Sequence, residues 1–475
     1  MRAEGSASVT AADPGRRADG HAEAAPGADG MVPERRLIDR IVATRPGPTL
    51  VLVGAVHGNE PAGVMAVRRV ADAIRAGVTP LLRGELVGLI GNVHAFESDD
   101  PAIRYLDHDL NRAFTTERLE RARTLTRAER TAEEDEALEL LGALDGIAAH
   151  ARGPVHLIDL HTTSGASVPF SVLGDSLANR ALAMSLGLPI VLGLEEDLPG
   201  VLSDYTSEEL GFVSLLVEGG QHDLPASVDT LECAAWAALH EIGCVRLDPA
   251  RIASVRQRLR RAAGVRAGRV FDLRYREPVL DPGLTIPSRL RSFDRVVADH
   301  TLLAIQHGQD RVAPESGVLL MPNRQRCPRE GDDAAFIAQP IGRAWLTLSA
   351  WLRGGLTHRL LPRLAPGVRK RPGHPNDLLV APDVAAVFKR ELFHLLGYRL
   401  VRRGDEHHLH GRRRVRAALR TLARSLVTIL TGVFRGGERG VLGVLGEERV
   451  EDWVVRRRRL DVEITPAASA APSDQ

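Results

Sequence analysis

Apolar and polar positions change their period along this chain, and the changes divide it. Residues 1–35 hold hardly an aliphatic side chain among Ala, Gly, Asp, Pro and Arg. Such a segment cannot bury enough apolar surface to offset chain entropy, so it is read as a disordered tail. Residues 49–56 (TLVLVGAV) are a continuous apolar run between Pro48 and Gly58, the pattern of a strand buried on both faces. Similar runs predict strands at 86–90, 155–160, 190–194 and 213–217. Helical spacing predicts helices at 61–76, 128–150, 177–186 and 227–242, the first with Pro61 in its opening turn. This alternation predicts an α/β domain over 36–260 with a doubly wound, mostly parallel sheet.

The texture changes after residue 265. Short strand-like runs at 270–275, 301–306 and 317–321, separated by Pro and Gly, predict a small β-rich second domain over 265–342. Residues 343–475 are Arg-rich, with amphipathic stretches at 384–396 and 414–430 that predict a helical, basic C-terminal extension ending in a polar tail from Thr465. No internal repeat is visible.

Composition narrows the class. The 475 residues are 44% hydrophobic and 26% charged, which excludes a fibrous or wholly disordered protein. Cys233, Cys244 and Cys327 include no CxxC pair, so neither a disulfide framework nor a cysteine zinc site is expected. This cysteine usage points to a reducing, cytoplasmic setting. No apolar run approaches the ~18 residues that span a bilayer, and no secretory h-region is visible. Only Lys370 and Lys389 among the 62 basic residues are lysine, a coding bias more than chemistry.

The net charge of +1 conceals an asymmetry. Residues 341–475 carry 25 Lys+Arg against 13 Asp+Glu, and the remainder carries 37 against 48. Arginines cluster at 412–416 and 456–459, the first cluster preceded by His407, His408 and His410. One reading is a phosphate-contacting surface for nucleic acid or anionic lipid, although aromatic interleaving is too poor for single-strand stacking. The reading favoured here is plainer: a helical appendage with solvated arginine faces, packed on the catalytic body or on another copy in a homo-oligomer.

Candidate chemistry sits at predicted strand ends, where open α/β sheets collect ligands. His57-Gly-Asn-Glu60 follows the 49–56 strand, and His161 closes the 155–160 strand. Two imidazoles and a carboxylate with a fourth open position suit a hydrolytic zinc site; the alternative is a turn histidine and a packed core one. In the loop 104–114, Arg104, Asn111 and Arg112 can grip a carboxylate and polarise a carbonyl, or the loop is simply solvated. Glu218 follows an apolar strand and precedes two glycines. That is the place for a general base beside a metal-bound water, with a capping or surface glutamate as the alternative.

Together HGNEPAG (57–63), RYLDHDLNRAF (104–114), IDLHTTSG (158–165) and VEGGQ (217–221) resemble the succinylglutamate desuccinylase/aspartoacylase family, relatives of the zinc carboxypeptidases, over roughly residues 36–340. The resemblance implies one Zn2+ per chain, held by His57, Glu60 and His161. It implies Glu218 as the residue that activates water and protonates the leaving amine, and Arg104 as the residue that polarises the scissile carbonyl. Asn111 and Arg112 would hold the substrate carboxylate, Asp109 would position their loop, and the second domain would narrow the channel over the site. The activity implied is hydrolysis of an amide bond in a small molecule, an N-acyl amino acid or related amide. One departure stands out. Ten residues before the catalytic glutamate, where aspartoacylases carry an arginine for the substrate's side-chain carboxylate, this chain has Glu208. A carboxylate there implies a substrate without that second negative charge. A reading from another class is a silent hydrolase fold that presents its basic extension to a partner. The complete set of ligands and base favours the enzyme.

Overall fold

A computed structural model describes residues 32–280, 283–324, 332–353, 361–362, 367–372, 376–381, 393–402, 453–458 and 460. Its strands in chain order are β1 (Leu37–Val42), β2 (Thr49–Gly54), β3 (Glu85–Ile90), β4 (Val155–Thr163), β5 (Phe170–Leu173), β6 (Ile190–Leu192), β7 (Val213–Gln221), β8 (Val270–Pro278), β9 (Arg295–Val296), β10 (Leu302–Gln306), β11 (Gln309–Val312), β12 (Gly317–Leu320), β13 (Asp333–Ile341), β14 (Val368–Lys370), β15 (Asp377–Val380), β16 (Tyr398–Arg402) and β17 (Trp453–Arg457). The helices are α1 (Ala62–Arg75), α2 (Val93–Phe96), α3 (Thr116–Thr124), α4 (Ala132–His150), α5 (Leu177–Leu186), α6 (Leu194–Asp197), α7 (Leu202–Glu208), α8 (Pro225–Glu241), α9 (Pro249–Ala263) and α10 (Arg343–Leu352).

The main sheet has eleven strands in the order β1-β3-β2-β4-β7-β5-β6-β8-β13-β12-β9. Among its central strands β3, β2, β4 and β7 run parallel, and β5, β6 and β8 run parallel to one another. The period-2 rule explains why β2 reads as unbroken apolar sequence. Leu50 and Leu52 point into one core with α1, α5, α8 and α9, while Val51 and Val53 point into the opposite core with α3 and α4. Thr131 and Glu134 form a reciprocal capping box that starts α4.

The β-rich segment joins the main sheet through β8, β13, β12 and β9, while β10 and β11 form a two-stranded sheet of their own. β8 pairs in parallel with β6, and β13, β12 and β9 continue the main sheet antiparallel. It nevertheless has an apolar cluster of its own around Leu303, Leu319 and Ile337. The extension also differs from expectation. Its described residues form α10 and a four-stranded antiparallel sheet, β14-β15-β17-β16. Residues 384–392, the 414–430 stretch, the histidine cluster and the first arginine cluster lie outside the described residues. In the second cluster, Arg457 and Arg458 are buried and not solvated. Their charge serves contacts inside the protein: Arg457 donates to the Arg353 carbonyl at 2.8 Å and Arg458 meets the carboxylates of Asp204 and Glu208. A run of arginines therefore marks no free phosphate surface at these two positions. Among the described residues no helix is long and apolar enough to cross a membrane.

Asp175 ties the two sheets together. Its carboxylate accepts from Arg180 Nη2 at 2.8 Å, from Arg353 Nη2 at 2.6 Å and from Arg399. Burial opposes ionisation, yet Arg353, Arg399 and Arg180 hold this carboxyl well below the usual range. Removing one partner of a buried ion cluster strands the others, so Asp175→Ala should cost about 3–5 kcal/mol in urea unfolding at neutral pH. Because the folded pKa lies below the unfolded value, this contribution is complete above about pH 4 and fades as pH falls through the folded value. The gap between wild type and variant should close in acid. A gap that is constant down to pH 2–3 would contradict the assignment.

Candidate active site

The turn after β2 is shaped by close packing. A Cβ on Gly63 would lie 2.8 Å from the Leu160 carbonyl oxygen, so α1 approaches β4 closely only because residue 63 has no side chain. Ala55 takes φ 54°, an uncommon conformation for a residue with a side chain. The chain thus turns off β2 and presents His57 and Glu60 at the sheet's carboxyl edge.

Strand register supplies the other half. β4 and β7 run in parallel with His161 beside Glu218, so an imidazole and a carboxylate emerge at neighbouring strand tips. His57, Glu60 and His161 are all buried, and one ligating atom from each lies within 4.8 Å of the others. Nδ1 of His57 is 2.8 Å from Glu60 Oε1, and Nδ1 of His161 is 3.0 Å from Glu60 Oε2. Burial opposes the charge on Glu60, but the two imidazoles hold its carboxyl well below the usual range. Burial likewise opposes protonation of His161, but Asp159 and Glu60 hold it well above the ordinary histidine value. Two imidazoles and a carboxylate at these distances could hold a metal ion. The far sides of the rings are also engaged. His57 Nε2 lies 3.0 Å from Asp109 Oδ1, and His161 Nε2 lies 2.9 Å from Asp159 Oδ2 and 3.2 Å from Asn111 Nδ2, contacts that fix the two rings.

The loop 104–114 is pinned from beneath. Buried Glu133, at the start of α4, accepts from the backbone N–H of Leu106, Asp107 and His108 at 2.7, 2.9 and 3.2 Å. Asp109 caps the following turn by accepting from Asn111 N–H at 2.8 Å. Arg104 donates to Glu60 Oε1 at 3.1 Å and to Asp109 Oδ2 at 3.4 Å.

All eight residues expected from sequence line one cavity of about 370 Å³: His57, Glu60, Arg104, Asp109, Asn111, Arg112, His161 and Glu218. Two of them have unexpected partners. Asn111 is buried, and besides touching His161 it accepts from Leu202 N–H at 3.1 Å. Arg112 donates to Asp333 Oδ2 at 2.6 Å. Glu218 is buried, and its Oε2 has no hydrogen-bond partner among the described residues. Burial is the main cause that pushes this carboxyl up to about 8, with Glu60 and Asp159 adding to it against His161 and Arg104.

The resemblance implied that the second domain narrows the channel, but sequence reasoning named none of the residues of this far wall. Met321, Pro322, Asn323, Asp332, Asp333 and Phe336 come from the β-rich segment, and Leu194, Leu198 and Val201 from the α6–α7 region. No motif marks them, because a wall needs shape more than particular residue types. Glu208, in contrast, is absent from the cavity lining. It accepts from Arg458 Nη1 at 2.8 Å, so it sets no charge beside a ligand.

The family model described as the succinylglutamate desuccinylase/aspartoacylase catalytic domain matches residues 46–239. No curated protein matches the chain. Similar solved structures include the succinylglutamate desuccinylase from Vibrio cholerae, 16% identical with a TM-score of 0.45, over 63% of this chain and 86% of that one. A succinylglutamate desuccinylase/aspartoacylase from Rhodobacter sphaeroides is 19% identical with a TM-score of 0.46, over 62% and 87%. The ectoine utilization protein EutE (DoeB) from Ruegeria pomeroyi, in a product-bound structure, is 20% identical with a TM-score of 0.46, over 63% and 87%.

Proposed function

From a chain whose residues 46–239 belong to the succinylglutamate desuccinylase/aspartoacylase catalytic family, we propose a zinc-dependent hydrolase that cleaves the amide bond of an N-acyl amino acid or a related small amide. The observation that carries the reading is the convergence of His57, Glu60 and His161 in a cavity that also holds the buried, one-sided carboxylate of Glu218. A buried metal triad has no structural use in a silent scaffold, which weighs against the binding-protein reading.

Bound to His57, Glu60 and His161, one Zn2+ would supply Lewis acidity toward water and a carbonyl oxygen. Glu218 takes the proton of the attacking water and delivers it to the departing amine nitrogen. Arg104, already turned toward Glu60 and Asp109, donates to the carbonyl oxygen as charge gathers there, usually the largest catalytic contribution. Asn111 and Arg112 orient the substrate's carboxylate, Asn111 from a position fixed by His161 and the Leu202 N–H.

The substrate reading keeps to a single negative charge, on a new ground. Asp333 already pairs with Arg112, and Asp107 and Asp332 line the same cavity. Beyond the residues already assigned, a second substrate carboxylate would meet these three acids against the basic Arg118 and His108. The test is a screen of zinc-loaded protein across N-acyl amino acids, short peptides and simple amides, reading released amine. At least one N-acyl amino acid should be hydrolysed, with activity lost to a chelator and restored by zinc. No turnover anywhere in the screen would remove the enzyme reading. N-acetylaspartate as by far the best substrate would remove the single-charge reading alone.

A further inference from the structure

Residues 194–208 form a wall with two faces. Leu194, Leu198 and Val201 line the cavity, while Glu195, Glu196, Asp204 and Glu208 bond to arginines and a histidine of the C-terminal unit. The wall also holds the substrate-binding loop. Leu202 N–H donates to Asn111 Oδ1 at 3.1 Å, and Phe114 N–H donates to the Gly200 carbonyl at 3.3 Å. Gly200 has φ 92°, and a Cβ there would lie 2.6 Å from the Arg112 carbonyl oxygen. Wall and loop are in backbone contact at this point.

The wall cannot hold its own shape. α6 has four residues and α7 seven, too few for a helix to persist without tertiary packing. What holds its outer face is arginine. Arg458 is buried and donates through Nη1 to Asp204 at 2.9 Å and Glu208 at 2.8 Å, and through Nη2 to Glu195. Arg399 lies 3.4 Å from Glu195 and 3.7 Å from Glu196, whose carboxylate also meets His394 Nε2 at 2.6 Å. Without the guanidinium of Arg458, three carboxylates would face one another, Glu195 buried and Asp204 and Glu208 only partly open to water. Burial chiefly, and Glu195 and Glu208 after it, already push Asp204 up to about 7 against the pull of Arg458.

We propose that Arg458, supported by Arg399, is a positioning residue for the substrate cavity: it clamps the 194–208 wall from behind and thereby sets which substrates the cavity accepts. This gives the C-terminal unit a role in specificity, although it lies outside the matched catalytic family region. The position of Glu208 then has a physical reason, as a counter-charge for Arg458 and not as a reader of substrate. The inference rests on the cavity being the substrate site, as proposed above.

The experiment compares full-length, zinc-loaded wild type with Arg458→Ala and Arg458→Lys. Amide hydrogen exchange is followed in peptides covering 194–208 and, as a control, α1. KM and kcat are measured for a small and a bulky N-acyl substrate. In Arg458→Ala, exchange over 194–208 should rise about tenfold or more, with α1 and the zinc content unchanged. KM should rise about tenfold and the preference between the two substrates should collapse, with kcat within about threefold. If Arg458→Ala fails to fold, Arg458→Lys decides. Faster exchange in the wall with a raised KM supports the clamp, because lysine keeps the charge and loses the fork that reaches three carboxylates. Wild-type exchange and KM in the folded variant overturn it, as does an exchange rise shared equally by α1. Should the wild type hydrolyse nothing, the exchange arm still tests the clamp while the enzyme reading falls by itself.

Discussion

Glu218→Gln should keep its zinc and lose roughly 10²–10⁴-fold in kcat, the usual range for a positioned proton-transfer group. The glutamine has the shape of the carboxylate but cannot take a proton from water or hand one to the amine. Its neighbours should be little disturbed. Glu218 Oε2 makes no hydrogen bond among the described residues, and the metal-binding candidates are held by Asp109, Asn111 and one another. Elemental analysis should therefore give one zinc per chain in variant and wild type alike, and melting temperatures should agree closely. KM should change much less than kcat, since the lost contact is made in the transition state. A variant that turns over within about threefold of wild type would remove Glu218 from the mechanism.

His161→Ala should lose the metal. Outer contacts alone are worth about 10–100-fold in metal affinity, and a direct ligand more. The substitution also leaves Asp159 and Glu60 as buried carboxylates without the imidazole between them, which now lies 2.9 Å from Asp159 and 3.0 Å from Glu60. Two readouts separate metal loss from collapse. Zinc should raise the melting temperature of wild type, because a ligand that binds only the folded state stabilises it by mass action, and it should not raise that of the variant. The fold should survive, since the substitution leaves every side chain of the apolar core around α1, α5 and α8 in place. A variant that retains stoichiometric zinc would show that the ion sits elsewhere.

These two predictions use residues that could be read without coordinates, and the reason is local. His57 and Glu60 share a turn next to a strand whose apolar run announces burial. His161 and Glu218 each close such a run. In a parallel sheet the carboxyl ends of strands lie at one edge, so residues there meet whatever the connections between them. The same logic could not name the residues of the cavity's far wall. Asp333 starts β13 and reaches Arg112 only because β13 pairs with β8, which pairs with β6. Nothing near Asp333 in the chain announces that path.

The arginine-rich extension shows the opposite failure. Its charge run reads as a solvated surface, because most charged runs are. Arg353, Arg399, Arg457 and Arg458 are nonetheless buried in the structure. The carboxylates that pair with Arg353, Arg399 and Arg458, which are Asp175, Glu195, Asp204 and Glu208, lie 178 or more positions away in the chain. Glu208 was misplaced for the same reason. Counting back from Glu218 puts it beside the substrate, but its turn of α7 aims it at Arg458.

The sequence alone determined the α/β alternation and put forward the metal-ligand candidates and the candidate general base, because each depends on a period or on a position at a strand end. Only the tertiary structure decided which residues close the cavity, what Arg112 and Glu208 pair with, and what the buried C-terminal arginines pair with. Those depend on contacts between distant segments, and an ion pair leaves no mark in the sequence near either of its partners.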